Sequence, residues 1–191
     1  MKEVLRSVKP YWLYLILTGK KTVEIGKSCP QAKDWNKVVE MYCSKDMRSF
    51  NRIPEEDKEW MRKYLGKVIG EFVCDKIEEF SVGSLRSDDI ENLACLSYSE
   101  MIDYFYKPKE LDGKTAKHGY AWHISDLKIY NKPKELSEFK KPLDSVHCSY
   151  YGDYCEEGCV GFGGTDYYCK DYWDWEKGLT RPPQSWCYVQ E

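Results

Sequence analysis

A proline and a glycine bracket the first helical segment of this chain and together predict a strand–helix–strand order at its start. Residues 2–8 (KEVLRSV) alternate between apolar and polar side chains, which is typical of a strand. Pro10 suits the first turn of a helix and Gly19 suits its end, with an apolar run between them. The alternating run KKTVEIGK at residues 20–27 predicts a second strand directly after this helix.

Short strand-like runs alternate with helical runs over the next hundred residues. A capping-box pattern formed by Ser97 and Glu100 predicts the start of one helix, and another is expected over residues 54–65. We expect the remaining strands over residues 37–43, 66–80 with a bend at Gly70, 118–130, and 186–189 as a last strand or lid. This order predicts an α+β domain built on a curved sheet or small β-barrel with flanking helices.

Composition excludes several classes of protein. The chain has 191 residues, of which 42% are apolar, and this is enough for one folded domain but too apolar for a disordered chain. Its mean hydropathy is −0.68, and no run approaches the roughly 18 apolar residues that a membrane-spanning helix needs. Glu3 and Arg6 lie where a secretory signal would be apolar. We therefore expect a cytoplasmic protein with no membrane association.

The charge and the cysteines divide the chain into two regions. Residues 1–67 hold 15 Lys and Arg against 9 Asp and Glu, whereas residues 141–191 hold 4 against 9. A basic first half suits a polyanionic partner, although solvated helix surfaces explain the same count. The acidic last region is also rich in Tyr and Cys. We predict a domain over residues 1–140 and an extension over residues 141–191 that packs on it.

The cysteines of the extension suggest a structural metal as one of three alternatives. Thiolates are ligands that a structural zinc requires, but the tight Cys-x-x-Cys spacing is absent. Packed reduced thiols and disulfides explain the same residues, and no cofactor is required. The candidate zinc ligands are Cys148, Cys155, Cys159 and Cys169.

Two motifs near the start of the chain resemble the signature of ASCH domains, a family of the PUA-like superfamily. A Lys-Pro pair follows the first strand at residues 9–10, and Gly19, Lys21 and Glu24 match the family's Gly-x-Lys-x-x-Glu-x-Arg motif. The Arg position of the motif is Gly26 here, with Lys27 directly after it. The resemblance covers roughly residues 3–140. It implies a small β-barrel with a cleft beside this turn that handles RNA or modified nucleosides.

A cluster of charged residues at the helix-to-strand turn forms the candidate site. A lysine beside a carboxylate can hold a phosphate or, when it is desolvated, act in proton transfer. Lys21 and Glu24 are therefore the candidate catalytic residues, and an ordinary surface ion pair is the alternative. Trp122 either stacks on a base or belongs to the core. The candidate residues for binding RNA or a nucleotide are Lys9, Lys20, Lys21, Glu24, Lys27 and Trp122.

Two other functions compete with nucleotide binding. Some relatives with the ASCH fold hydrolyse N4-acetylcytidine, using the motif lysine and a threonine at the position that Glu24 occupies here. This sequence therefore departs from their pattern, and the carboxylate that they take from a later helix has only Glu91 nearby. A hydrolase of this kind or an RNA-cleaving enzyme in the same cleft is one alternative. A module that binds another protein through the aromatic extension is the other.

Overall fold

The computed structural model describes residues 2–33, 35–82, 85–106, 117–142 and 178–190. These residues form a mixed α+β fold with eight strands and five short helices among them. The strands are β1 (Lys2–Val8), β2 (Val23–Gly26), β3 (Trp35–Cys43), β4 (Val68–Val73), β5 (Ile77–Ser81), β6 (His118–His123), β7 (Ser125–Lys134) and β8 (Trp186–Val189). The helices are α1 (Pro10–Leu17), α2 (Met47–Phe50), α3 (Glu55–Arg62), α4 (Leu85–Ala94) and α5 (Tyr98–Phe105).

The strands form two sheets. The larger sheet has the order β7-β4-β3-β1-β8, in which β1 and β3 are parallel and the other neighbours are antiparallel. The smaller sheet has the order β2-β6-β5 and is antiparallel. The chain passes from one sheet to the other four times, before and after β2, between β4 and β5, and between β6 and β7.

The predicted barrel is not closed by backbone pairing among the described residues. Among these residues, no ladder joins an edge strand of the larger sheet, β7 or β8, to an edge strand of the smaller sheet, β2 or β5. The side chain of Arg6 on β1 instead reaches β2, where its Nη2 donates to the carbonyl oxygen of Ile25. The predicted strand over residues 66–80 is likewise two strands, because the chain turns at residues 74–76 rather than at Gly70.

The core lies mainly between the two sheets and α1. One apolar cluster lines the inner face of the larger sheet and includes Val4, Val39, Met41 and Trp122. A second cluster joins the smaller sheet to α4 and α5, and a third lies on the outer face of the larger sheet around Leu5 and Tyr42. Adjacent residues of a strand face opposite sides, so the larger sheet buries apolar side chains on both faces. Among the described residues, no helix has the length and apolarity needed to cross a membrane.

Strand β8 brings the end of the chain beside its beginning. It pairs with β1 along Glu3–Arg6, and the amide of Ser7 donates to the carbonyl of Ser185 at 2.8 Å. The indole of Trp186 donates to the Ser28 hydroxyl at 2.9 Å. The last strand expected from the sequence is therefore confirmed, and part of the predicted extension belongs to the larger sheet.

Candidate functional site

The turn between α1 and β2 directs Lys21 into the molecule. Gly19 adopts a φ of 72°, a left-handed conformation that glycine reaches without strain and that ends the helix. The amides of Lys20 and Lys21 then both donate to the carbonyl of Leu15, at 2.9 and 3.0 Å. Strand β2 begins only at Val23, so Lys21 is not bound by the alternation of the strand. Its side chain is therefore free to lie on the same side as Glu24.

A buried cluster of two cations and one carboxylate results from this turn, and we call it the cleft floor. Lys21 Nζ and Arg6 Nη2 each lie 3.3 Å from one oxygen of the Glu24 carboxylate. Arg6 is 2% exposed, Lys21 3%, and the Glu24 side chain 12%. The Lys21 ammonium also donates to the carbonyl of Ala94 at 2.8 Å. The alternative left open by the sequence was an ordinary ion pair at the surface. The Lys21–Glu24 pair is buried instead.

Burial acts strongly on the ammonium of Lys21. Loss of hydration lowers the pKa of Lys21, and the neighbouring Glu24 carboxylate opposes this shift. A lysine with a lowered pKa exchanges its proton closer to neutral pH than an exposed lysine does. The floor therefore holds a group suited to binding an anion when charged and to proton transfer when neutral.

The cleft floor opens into a cavity of about 510 Å³, within the range of roughly 300–1,000 Å³ typical of small-ligand sites. Trp12 of α1 and Tyr104 of α5 supply aromatic surface to its walls. The cation of Lys21 lies 5.5 Å from the Trp12 ring centre. The other side chains lining the cavity include Ser7, Lys9, Ser44, Asp46, Arg52, Glu100, Asp103, Gln184 and Ser185.

The rim of this cleft carries two ion pairs that are more exposed than the floor. Lys9 Nζ lies 3.5 Å from Asp46, and Arg52 Nη2 lies 2.8 Å from Glu100. The side chains of Lys9 and Arg52 are 63% and 44% exposed. The Arg52 guanidinium also stacks 4.7 Å from the Trp12 ring centre, so it joins the helices on the two sides of the cleft. Glu100 serves twice, since its other oxygen completes the predicted capping box with Ser97.

Three of the six candidate binding residues lie together in the cleft, namely Lys9, Lys21 and Glu24. Lys20 and Lys27 are exposed and do not line the cleft. The Lys27 ammonium lies 4.9 Å from the centre of the Tyr104 ring. Trp122 is fully buried, and its ring lies 4.7 Å from the Arg6 guanidinium. The sequence left open whether Trp122 stacks on a base or belongs to the core, and the structure places it in the core.

Other cleft residues are not among the six candidate binding residues. Arg6 and Arg52 did carry a signal, as basic residues that can extend a rim for backbone phosphate. Arg6 also lies between the inward-facing Val4 and Val8. Trp12 and Tyr104 carried none, since they come from two separate helices that meet only in the folded chain. Cys148, Cys155, Cys159 and Cys169 lie outside the described residues, so a structural zinc stays a prediction.

The arrangement of two sheets and five α-helices is similar to the fold of solved ASCH structures. A crystal structure of ASCH from Zymomonas mobilis is similar over 99% of this chain and 88% of that chain, with a TM-score of 0.53 and 19% identity. The ASCH-type α+β fold predicted from the Lys-Pro and Gly-x-Lys-x-x-Glu motifs is therefore confirmed, apart from the closed barrel.

Two variants of that Zymomonas mobilis protein show the same likeness. A tyrosine-to-phenylalanine variant has a TM-score of 0.52 and 18% identity, over 100% of this chain and 92% of that one. A serine-to-alanine variant has a TM-score of 0.51 and 19% identity, over 99% and 89%. No family model matches the sequence, and no curated protein matches it significantly. The likeness thus concerns the fold, and the function is argued from the cleft.

Proposed function

We propose that the protein binds a nucleotide, free or within RNA, in the cleft beside Lys21. The observation that carries this proposal is the buried Lys21–Glu24 pair on the floor of a cavity whose walls hold Trp12 and Tyr104. Aromatic side chains stack on nucleobases, and this contact is worth about 1–3 kcal/mol per base. The Lys21 ammonium and the Glu24 carboxylate supply a donor and an acceptor beside the same cavity.

The size of the cavity supports a small ligand or a single nucleotide unit. A volume of about 510 Å³ accommodates a nucleoside with its phosphate, but not an extended strand. For RNA, this means that one nucleotide enters the cleft while its neighbours lie outside. Lys9 and Arg52 are cations of the rim, through which such neighbours would leave the cleft.

The test is a binding measurement with short single-stranded RNA and with mononucleotides. Replacing Trp12 with Leu removes the aromatic wall and is expected to weaken binding by about tenfold. Lys33→Met is the matched control, because Lys33 is exposed and does not line the cleft. Affinity that is unchanged by Trp12→Leu, or that falls equally with Lys33→Met, would exclude the cleft as the binding site.

A hydrolase in the same cleft is the second candidate, favoured by the burial of Lys21. Lost hydration lowers the pKa of Lys21. In its neutral amine form the side chain can accept a proton from water or from a hydroxyl group. Three serines, Ser7, Ser44 and Ser185, also line the cavity. Release of acetate from N4-acetylcytidine, or cleavage of RNA, that disappears in Lys21→Ala would support this activity. Turnover that persists in Lys21→Ala would exclude Lys21 from catalysis.

A further inference from the structure

The charges of the cleft floor do not balance. Arg6 and Lys21 bring two positive charges and share the single carboxylate of Glu24. All three side chains are largely removed from water, where an uncompensated charge is costly. The floor therefore carries one positive charge in excess whenever Lys21 is protonated, and a singly or doubly charged anion would compensate it.

Hydrogen-bond donors at the floor are also in excess. Within the part of the chain that the structure describes, the buried guanidinium Nε and Nη1 of Arg6 have no acceptor, and Nη2 alone is bonded. The buried hydroxyl of Ser44, which lines the same cavity, has no partner among these residues either. Buried polar groups in native proteins are nearly always paired, so these groups indicate an acceptor that arrives with a ligand.

The rim of the cleft has the opposite character. Its cations Lys9 and Arg52 are both paired with carboxylates of the rim, Asp46 and Glu100. Asp103 adds an exposed carboxylate without an ion pair among the described residues. An anionic group is therefore better compensated at the floor than at the rim. An aromatic ring can stack against Trp12 and Tyr104 in the walls between them.

We propose that the ligand enters with a phosphate ester first, so that Arg6 and Lys21 bind the phosphate and the base lies outward against Trp12 and Tyr104. This orientation rests on the proposed function and adds to it which group of the nucleotide the floor recognises. Arginine and lysine bind phosphate oxygens by charge-assisted hydrogen bonds, which are roughly twice as strong as neutral ones. The phosphate supplies the acceptors that Arg6 and Ser44 lack.

The experiment compares three probes by calorimetric titration: ribonucleosides, their 5′-monophosphates, and dinucleoside monophosphates, which contain an internal phosphodiester but no terminal phosphate. The two phosphate-bearing probes distinguish a terminal phosphate from one within RNA. We expect the better of them to bind at least about tenfold more tightly than the nucleoside. Lys21→Met should reduce this ratio to about twofold or less, and Lys33→Met should leave it unchanged.

A second measurement keeps the proposal open to refutation if Lys21→Met does not fold. The ³¹P resonance of a monophosphate bound to the unaltered protein should titrate at a lower pH than in free solution, because neighbouring cations favour the dianion. A titration identical to that of the free nucleotide would overturn the proposal.

The outcomes separate this proposal from the one on which it rests. Equal affinity for nucleosides and nucleotides would overturn the phosphate-first orientation and leave nucleotide binding in the cleft intact. If only longer RNA binds and none of the three probes does, the phosphate-first orientation is likewise overturned and nucleotide binding in the cleft stays intact. If none of the probes and no RNA binds, both proposals are wrong.

Discussion

Two buried clusters of ionisable groups lie on opposite faces of the larger sheet. They differ in the buried group that lacks a counter-ion of its own among the described residues: a cation in one cluster and the carboxylate of Glu40 in the other. On the inner face, Arg6 and Lys21 share the carboxylate of Glu24. On the outer face, Glu40 is 1% exposed, and the hydroxyl of Tyr130 lies 2.7 Å from Glu40 Oε1 and 2.5 Å from Glu71 Oε2. In the inner cluster two cations share one carboxylate, whereas in the outer cluster Glu71 is paired with Lys128 at 3.0 Å and the buried Glu40 is hydrogen-bonded to the Tyr130 hydroxyl.

The two clusters compensate this group in different ways. A hydroxyl has one proton, so Tyr130 can donate to only one of the two carboxylates that it contacts. A proton retained on Glu40 completes the chain, because Glu40 can then donate to Tyr130 while Tyr130 donates to Glu71. The cleft floor opens to a cavity, and there a ligand can supply the missing charge. The comparison supports placing the proposed binding site at the inner cluster, where a cavity adjoins the uncompensated charge.

The largest effect is expected from Arg6→Met at the cleft floor. The substitution removes the guanidinium that joins β1 to β2, and it leaves the Ile25 carbonyl without its donor and Glu24 with Lys21 alone. Losing the hydrogen bonds of a buried charged group and leaving a buried carbonyl unpaired costs about 3 kcal/mol, and we expect the free energy of unfolding to fall by this amount. Denaturant unfolding measures it. Arg48→Met, at an exposed position, is the control, and an equal loss in both variants would contradict the role of Arg6.

Tyr130→Phe tests the outer-face cluster by removing its shared hydroxyl. Glu40 and Glu71 then face each other without a donor between them, and we expect a loss of about 2 kcal/mol of unfolding free energy at neutral pH. Tyr98→Phe is the matched control, because Tyr98 is 56% exposed. A loss no greater than that of Tyr98→Phe would show that the hydroxyl does not join the two carboxylates.

The pH dependence of stability sharpens the contrast further. Burial raises the pKa of Glu40 from 4.5 to about 7, partly opposed by the hydrogen bond from Tyr130. Between these values the folded chain holds a proton that the unfolded chain has released. The contribution of Glu40 is therefore complete below about pH 4.5 and is lost as the pH rises to about 7.

Glu40→Gln isolates this contribution. The neutral amide cannot ionise, so at pH 8 the variant should be more stable than the unaltered protein by about 1–2 kcal/mol, and the difference should shrink at pH 5. Unfolding measured at both pH values checks this. A variant that is less stable at pH 8 would mean that the Glu40 carboxylate is compensated, as Glu24 is, and would remove the difference between the clusters.

The smallest effect is expected from Arg52→Gln at the rim. The ion pair with Glu100 is exposed to solvent, and such pairs contribute about 0.5 kcal/mol. Thermal unfolding at low and high salt should show a small difference that salt reduces further. A loss as large as that of Arg6→Met would mean that rim and floor are equally desolvated.

The sequence predicted the parts of the fold that local chemistry decides. The strand–helix–strand order at residues 2–27 follows from Pro10 and Gly19, and the capping box of Ser97 and Glu100 is present as expected. The prediction of a closed barrel was wrong for the described residues, because strand pairing depends on contacts between distant segments. The contact from the Arg6 side chain on β1 to the Ile25 carbonyl on β2 joins the two sheets, and no local pattern reveals it.

The candidate site was predicted only where one motif contributes it. Lys21 and Glu24 are three residues apart, so their proximity follows from the turn. The contact between Lys21 and the carbonyl of Ala94 joins residues 73 positions apart, and the walls come from α1, α5 and the segment before β8. Such long-range contacts are set by packing, and the burial of Arg6 and Lys21 followed from packing alone.

The account depends most on the inner cluster being the ligand site, and NMR titration with a ribonucleoside 5′-monophosphate tests this directly. We predict that the largest shifts occur at the Arg6 Nε–H and the Trp12 indole N–H, whereas the amides of β7 around Tyr130 do not move. The Trp60 indole, held by Asp57 at 2.8 Å and absent from the cleft lining, is the internal control. Shifts confined to the outer face, or equal at Trp12 and Trp60, would contradict the account.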